Sequence, residues 1–241
     1  MVGKVRKLAR SMGFDINRFP GAATHWPRLA KMLDRHTVTL VLDVGANIGQ
    51  YAYSLRNNGY RGRIVSFEPS SAAHADLTVA ADLDPEWQVA PRCAVGASAG
   101  ETTLNISPES DMSSLLPLTA DAAEKFASVR PTASETVPMT TLAVEIPRYA
   151  ATNDAIFVKS DTQGYEAKVL DGLAGAADRV VGLQLELSLL PIYQGQPDYL
   201  SVLNRIGELG FVPHLVIPGY FSRQHRQMIE FDVVCFRDGA S

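Results

Sequence analysis

Apolar residues cluster along this chain in short runs, and between the runs they recur at helical spacing. The runs Val38–Val44, Arg63–Glu68, Trp87–Val95, Glu101–Ile106, Ala155–Ser160, Val180–Leu187, Phe211–Ile217 and Phe231–Arg237 read as strands bounded by turn residues. Segments Trp26–Asp34, Gly49–Asn57, Ser71–Leu83, Gly164–Leu170 and Tyr199–Leu209 place apolar residues three and four apart, as a helix with one buried face does. Strands that alternate with helices predict an α/β fold with a mostly parallel sheet covered on both faces. The last two strands are joined by the polar stretch Pro218–Arg226, without a clear crossover helix. They are therefore expected to close one end as an antiparallel pair.

Two segments interrupt this rhythm. Val2–Met12 reads as a short amphipathic helix, with Val5, Leu8, Ala9 and Met12 opposite Lys4, Arg6, Lys7 and Arg10. Residues 1–37 thus form a helical extension ahead of a main domain over 38–241. The stretch Ser107–Pro138 holds Pro108, Pro117, Pro131 and Pro138 and one plausible helix, Thr119–Val129. Connections this long in a compact domain commonly serve as lids or binding loops, which makes it a candidate cover for an acceptor.

The chemistry concentrates at VLDVGANIGQY, Val41–Tyr51, and VSFEP, Val65–Pro69. An apolar strand runs into an acid, two glycines and a helix, and the next strand ends in Glu68. Gly45 permits a tight turn and close approach to a ligand, and Gly49 lets the helix pack near the sheet. Glu68 at a strand tip is placed to accept hydrogen bonds from two ribose hydroxyls. A dinucleotide fingerprint would need glycines where Asn47 and Gln50 stand, and no phosphate loop is present. The pattern Asp-x-Gly-x-Asn-x-Gly resembles motif I of the S-adenosylmethionine-dependent methyltransferases. In that reading Asp43 pairs with the ammonium of the cofactor's amino-acid end while amides of the Gly45–Ala46–Asn47 turn meet its carboxylate.

Composition narrows the classes. With 241 residues, 46% hydrophobic and 20% charged, the chain suits one α/β domain with additions. A net charge of −4 argues against a general nucleic-acid binder. Cys93 and Cys235 lie far apart in apolar runs, matching neither a zinc spacing nor a disulfide framework. No stretch approaches the roughly 18 apolar residues of a membrane span, and the basic N-terminus lacks an apolar signal core. A soluble cytoplasmic protein is expected. Its basic N-terminal helix could dock on its own domain, on a second subunit as in a homodimer, or at the periphery of an anionic membrane.

Further motifs occur in order: AVG at Ala94–Gly96, DMSSL at Asp111–Leu115 and VPMTTL at Val137–Leu142. Then come VKSDTQGYEAKVLDG at Val158–Gly172 and LELSLLPIYQG at Leu185–Gly195. With these motifs, the chain from about Val38 to Arg237 resembles the FkbM family of S-adenosylmethionine-dependent methyltransferases. The resemblance implies a Rossmann-like, seven-stranded sheet with a reversed last strand. It implies methyl transfer to a hydroxyl of a sugar, glycolipid or polyketide. It also places Pro69 beside Glu68 in the cofactor site and lays the adenine against Cys93, Ala94 and Val95. The chain departs from the family where Lys-Ile-Asp-Val-Glu-Gly is common: here it reads Lys159-Ser160-Asp161-Thr162-Gln163-Gly164. Gln163 removes a carboxylate, and Ala143 stands where an acid often follows VPMTTL.

Methyl transfer to an alcohol gains from alignment of nucleophile and methyl carbon, and from a base or metal near the hydroxyl proton. Two acids lie at strand C-terminal ends, where ligands meet in this topology: Asp161 and Glu186. Asp161 is expected to face the methyl-transfer centre as general base or metal ligand, with Glu186 as its nearest acidic partner. The same acids also suit a helix cap and a sheet-edge ion pair. Together they could hold Mg²⁺ with water and a substrate oxygen. The leading expectation is O-methylation of a carbohydrate or glycolipid hydroxyl. Polyketide O-methylation is the second reading. A silent cofactor-binding subunit is the reading from another class.

Overall fold

The computed structural model describes residues 25–126, 129–223 and 225–237. The helix expected over Val2–Met12 lies outside them. Within them, the apolar runs assemble into one seven-stranded sheet. Its strands are β1 (Leu40–Val44), β2 (Arg63–Phe67), β3 (Trp87–Val89), β7 (Ile156–Ser160), β8 (Val180–Ser188), β9 (Phe211–Pro218) and β12 (Glu230–Arg237). Across the sheet the order is β3-β2-β1-β7-β8-β12-β9. All neighbours are parallel except β12, which runs antiparallel to both β8 and β9. The expected reversed last strand and closing antiparallel pair are both present. This is a Rossmann-like α/β fold.

Period-two alternation divides the core. Leu40, Leu42 and Val44 of β1 face one side, with Val65, Val158 and Leu183, while Val41 faces the other with Ile64, Phe157 and Phe236. The first face is covered by helices α5 (Leu142–Tyr149), α6 (Glu166–Asp171) and α7 (Tyr199–Glu208). The second is covered by α1 (Trp26–Arg35), α2 (Gln50–Asn57) and α3 (Ser71–Ala81), through Leu29, Leu33, Leu55 and Leu77. Each such side chain, taken fully out of water, contributes roughly 1.5–3 kcal/mol. Caps set the helix starts: Ser70 accepts from the Ala73 amide, Thr141 from Val144 and Asp198 from Ser201.

Three local expectations change. The run Trp87–Val95 breaks at Pro91, giving β3 in the main sheet and β4 (Ala94–Val95) elsewhere. β4 joins β5 (Gly100–Ile106) and β6 (Ala133–Thr140) in a second sheet of order β4-β6-β5. The C-terminal part of the stretch Ser107–Pro138 is therefore strand rather than loop, and only Ala120–Lys125, α4, is helical where Thr119–Val129 was expected. Pro138 fits within β6 because β4 pairs only with Met139 and Thr140, beyond it. The short hairpin of β10 (Phe221–Ser222) and β11 (Gln227–Met228) links β9 to β12.

Candidate active site

β1 and β7 lie side by side, and their C-terminal ends make the floor of the site. Gly45 has φ +75°, and a Cβ there would sit 1.8 Å from the Asp161 carbonyl oxygen. Only glycine lets the two strand ends approach this closely. Gly49, at φ +95°, faces the Trp87 ring, 2.5 Å from where a Cβ would stand, so it serves helix packing and does not line the cavity. The turn between them carries Asn47 at φ +48°. Its amide donates to Glu68 Oε2 at 2.8 Å, while the Ser70 amide donates to Glu68 Oε1 at 2.8 Å. Burial pushes the Glu68 carboxyl up to about 7 against the downward pull of those amides.

A cavity of about 420 Å³ opens over these strand ends. Gly45, Ala46, Asn47, Glu68, Pro69, Cys93, Ala94, Val95 and Asp161 all line it, so most of the residues expected around a nucleoside cofactor are brought together. Burial pushes the Cys93 thiol up to about 11, so it lines the cavity as a neutral group. Asn47 is 9% exposed, yet both its side-chain amide atoms lack a hydrogen-bond partner among the described residues. A buried amide in that state fits a polar ligand group. With a carboxylate at Glu68 that suits two hydroxyls and the unpartnered Asn47 amide beside it, the site fits S-adenosylmethionine. Ser110, Asp111, Ser113 and Leu115 also line the cavity, and Leu115 packs against Ala94 and Leu104.

Asp43 is wholly buried beneath the floor and is not among the residues that line the cavity. Its partner is internal: Lys159 Nζ lies 3.3 Å from Asp43 Oδ1, 3.1 Å from the Gly45 carbonyl oxygen and 3.6 Å from Asp161 Oδ2. Ser66 Oγ donates to Asp43 Oδ2 at 3.3 Å. Burial raises the Asp43 carboxyl, Lys159 opposing it. Burial would lower the Lys159 ammonium, but Asp43 and Asp161 together raise it above its ordinary value. The lysine remains charged and ties β1 to β7.

Glu186 also sits behind the cavity wall. It lies in an interior strand, opposite Asp232 of β12, and so not at a sheet edge. Burial and then the Asp161 charge push its carboxyl well up. Between Asp161 and Glu186, the pair expected to be able to hold magnesium, the Gln163 amide stands, donating to Asp161 Oδ1 at 3.1 Å and Glu186 Oε2 at 2.7 Å. Nor does Asp161 cap α6. The amides of Thr162 and Gly164 donate instead to Glu166 Oε1, at 2.8 and 3.3 Å.

Sequence reasoning passed over several residues of this site. Lys159 was visible as the one charge in the apolar run Ile156–Ser160, where a buried charge must have a partner. Tyr51, Gln184 and Asp232 are others, and they line the cavity beside Trp26. Tyr51 lies 5.4 Å from Trp26 between ring centroids, and its hydroxyl donates to Gln184 Oε1 at 2.9 Å. Gln184 Nε2 donates in turn to Asp232 Oδ1 at 3.2 Å. No local signal gathers these residues, since they come from α1, α2, β8 and β12. Tyr220 and Phe221 are exposed at the closing hairpin.

A parallel sheet with one reversed strand and a cavity at its strand tips defines a Rossmann-like protein of the doubly wound class. The family model described as the methyltransferase FkbM domain matches residues 43–213, and the chain belongs to this family, whose methyl donor is S-adenosylmethionine. Solved structures similar to it include the precorrin-6y C5,15-methyltransferase from Geobacter metallireducens. That match has 9% identity and a TM-score of 0.45, covering 88% of this chain and 87% of that one. TrmK of M. capricolum with S-adenosylhomocysteine is 5% identical, with a TM-score of 0.48, covering 90% and 69%. Fibrillarin of Aeropyrum pernix with natively bound S-adenosylmethionine is 10% identical, with a TM-score of 0.43, covering 82% and 66%. A search of curated proteins returned no match. Among the described residues, no helix is long and apolar enough to cross a membrane.

Proposed function

We propose that this methyltransferase acts on a hydroxyl oxygen of a carbohydrate, free or carried on a glycolipid, and that Asp161 accepts the hydroxyl proton. The observation that carries the acceptor reading is the composition of one cavity wall. Trp26 and Tyr51 offer aromatic surface, and Asp161, Gln184 and Asp232 offer carboxylate and amide oxygens beside it. An aromatic face suits the C–H face of a sugar ring, and the oxygens suit its hydroxyls. The net charge of −4 and this acidic lining disfavour a polyanionic nucleic acid.

When bound, S-adenosylmethionine supplies an electrophilic methyl group on a sulfonium. Glu68, the Asn47 amide and the Gly45 turn hold and orient the donor. The wall orients the acceptor, and alignment of this kind is worth on the order of 7–11 kcal/mol. Asp161, braced by Lys159 and Gln163, receives the proton as the oxygen forms its new bond, an effect of roughly 10²–10⁴ in rate. Ser110, Asp111, Ser113 and Leu115, which line the cavity, cover the donor and help exclude water.

The test is transfer of an isotope-labelled methyl group into sugars, glycolipids, macrolides and RNA, read by mass spectrometry. A labelled methyl ether on a carbohydrate is expected. Label in macrolide or RNA alone would refute the acceptor assignment.

A further inference from the structure

Where the resembled family commonly has glutamate, this chain places Gln163 between the two acids of the site. The residue is 7% exposed, and its backbone sits at φ +54°, a left-handed conformation uncommon for any residue but glycine. Four hydrogen bonds hold it there. Nε2 donates to Asp161 Oδ1 at 3.1 Å and to Glu186 Oε2 at 2.7 Å. Oε1 accepts from the Tyr193 hydroxyl at 3.1 Å, and the backbone carbonyl accepts from Ser114 Oγ at 2.7 Å. Tyr193 also reaches the Met112 carbonyl at 3.3 Å. One residue therefore joins the acid loop and the loop after β8 through its side chain, and the segment over the cavity through its backbone carbonyl.

The chemistry of the amide makes this arrangement directional. A phenol donating into Oε1 turns both N–H groups toward the carboxylates, and an amide has two N–H groups and no more. Burial raises the Tyr193 hydroxyl above its ordinary range, so it stays protonated and remains a donor. A glutamate would instead set a third carboxylate oxygen 2.7–3.1 Å from the other two. Like charges at that separation need a shared proton or a cation. Lys159 lies on the Asp43 side of Asp161, while Glu166, Glu230 and Asp232 add further acid around the pair.

We propose that Gln163 is the positioning residue of the proton-accepting acid: one N–H fixes the Asp161 carboxylate at the cavity wall, and the other anchors it to Glu186 behind. The inference rests on Asp161 being the proton acceptor. Its structural half is tested without any acceptor, on protein saturated with S-adenosylhomocysteine. In ¹H–¹⁵N spectra the Gln163 side-chain pair is assigned by its loss in Gln163→Ala. Asp161→Asn is expected to move one proton of the pair and Glu186→Gln the other. A pair indifferent to either substitution overturns the proposal. With a glycoside that the acceptor panel shows to be methylated, Gln163→Ala should lower kcat at least about tenfold while the donor KM stays within about threefold. An unchanged kcat would equally overturn it. Should Gln163→Ala fail to fold, Gln163→Glu preserves the size of the side chain. Magnesium should raise its melting temperature more than that of the unsubstituted protein, and equal responses count against the bridge. A panel with no carbohydrate product, beside intact amide responses, removes the acceptor reading while supporting the bridge.

Discussion

Replacing Lys159 by methionine tests the buried charge pair on which the floor of the site depends. Asp43 is 0% exposed and Lys159 5% exposed, with 3.3 Å between ammonium and carboxylate. Removing one partner of such a pair leaves an uncompensated charge, at a cost of about 3–5 kcal/mol. Against a typical stability of about 5–15 kcal/mol, that is a large fraction. The Lys159→Met, Asp43→Asn double variant should recover most of the loss, because no charge is then stranded and Ser66 can still reach residue 43. Denaturant titration at pH 5 and pH 8 supplies the readout. The sign follows from the Asp43 carboxyl, whose folded pKa is raised by burial. Without the opposing lysine it rises further. A group with a raised folded pKa contributes stability at low pH that is lost as pH rises through that value. The deficit of the single variant should therefore be larger at pH 8 than at pH 5. A loss below about 1 kcal/mol at pH 8, or no recovery in the double variant, would refute the reasoning.

Cofactor affinity should depend on pH through Glu68, whose carboxyl burial places at about 7. Ribose hydroxyls favour the ionised form, so affinity should rise up to about tenfold from pH 6 to pH 8, with proton release in calorimetry. A flat profile would count against Glu68 as the ribose partner, and Glu68→Gln should flatten it. Gly45→Ala forces a Cβ to 1.8 Å from the Asp161 carbonyl oxygen at φ +75°. It should cost at least about 2 kcal/mol in thermal denaturation and abolish donor binding. Asp161→Asn should cut turnover by about 10²-fold or more while donor binding stays within a few-fold. Turnover near that of the unsubstituted enzyme would remove Asp161 from the mechanism.

The strand-and-helix alternation, the glycine turn at Gly45 and the acid at Glu68 were legible because each is a local pattern. Period-two runs make strands, a positive-φ turn demands glycine, and an acid at a strand tip is costly unless something uses it. The helix Leu142–Tyr149 was missed because Pro147 reads as a breaker, although Thr141 caps it and Leu142 and Ile146 share its buried face. The sequence also could not place β12 between β8 and β9, since that order depends on which edge strand the last segment finds.

What the sequence determined by itself was the backbone frame at the tips of the first two strands: Gly45, Asn47 and Glu68. Their placement follows from conformation and spacing within two adjacent strand-turn units, whereas the Cys93–Val95 turn was pointed to only by the family resemblance. The tertiary structure alone decided the charge arrangement beneath it. Asp43 reads in sequence as a ligand partner, yet the fold turns it inward onto Lys159, more than a hundred residues away along the chain. The same holds for Gln163 with Glu186 and Tyr193, and for Trp26 with Tyr51. Electrostatic partners are chosen by distance in space, which a chain acquires only when its sheet has closed.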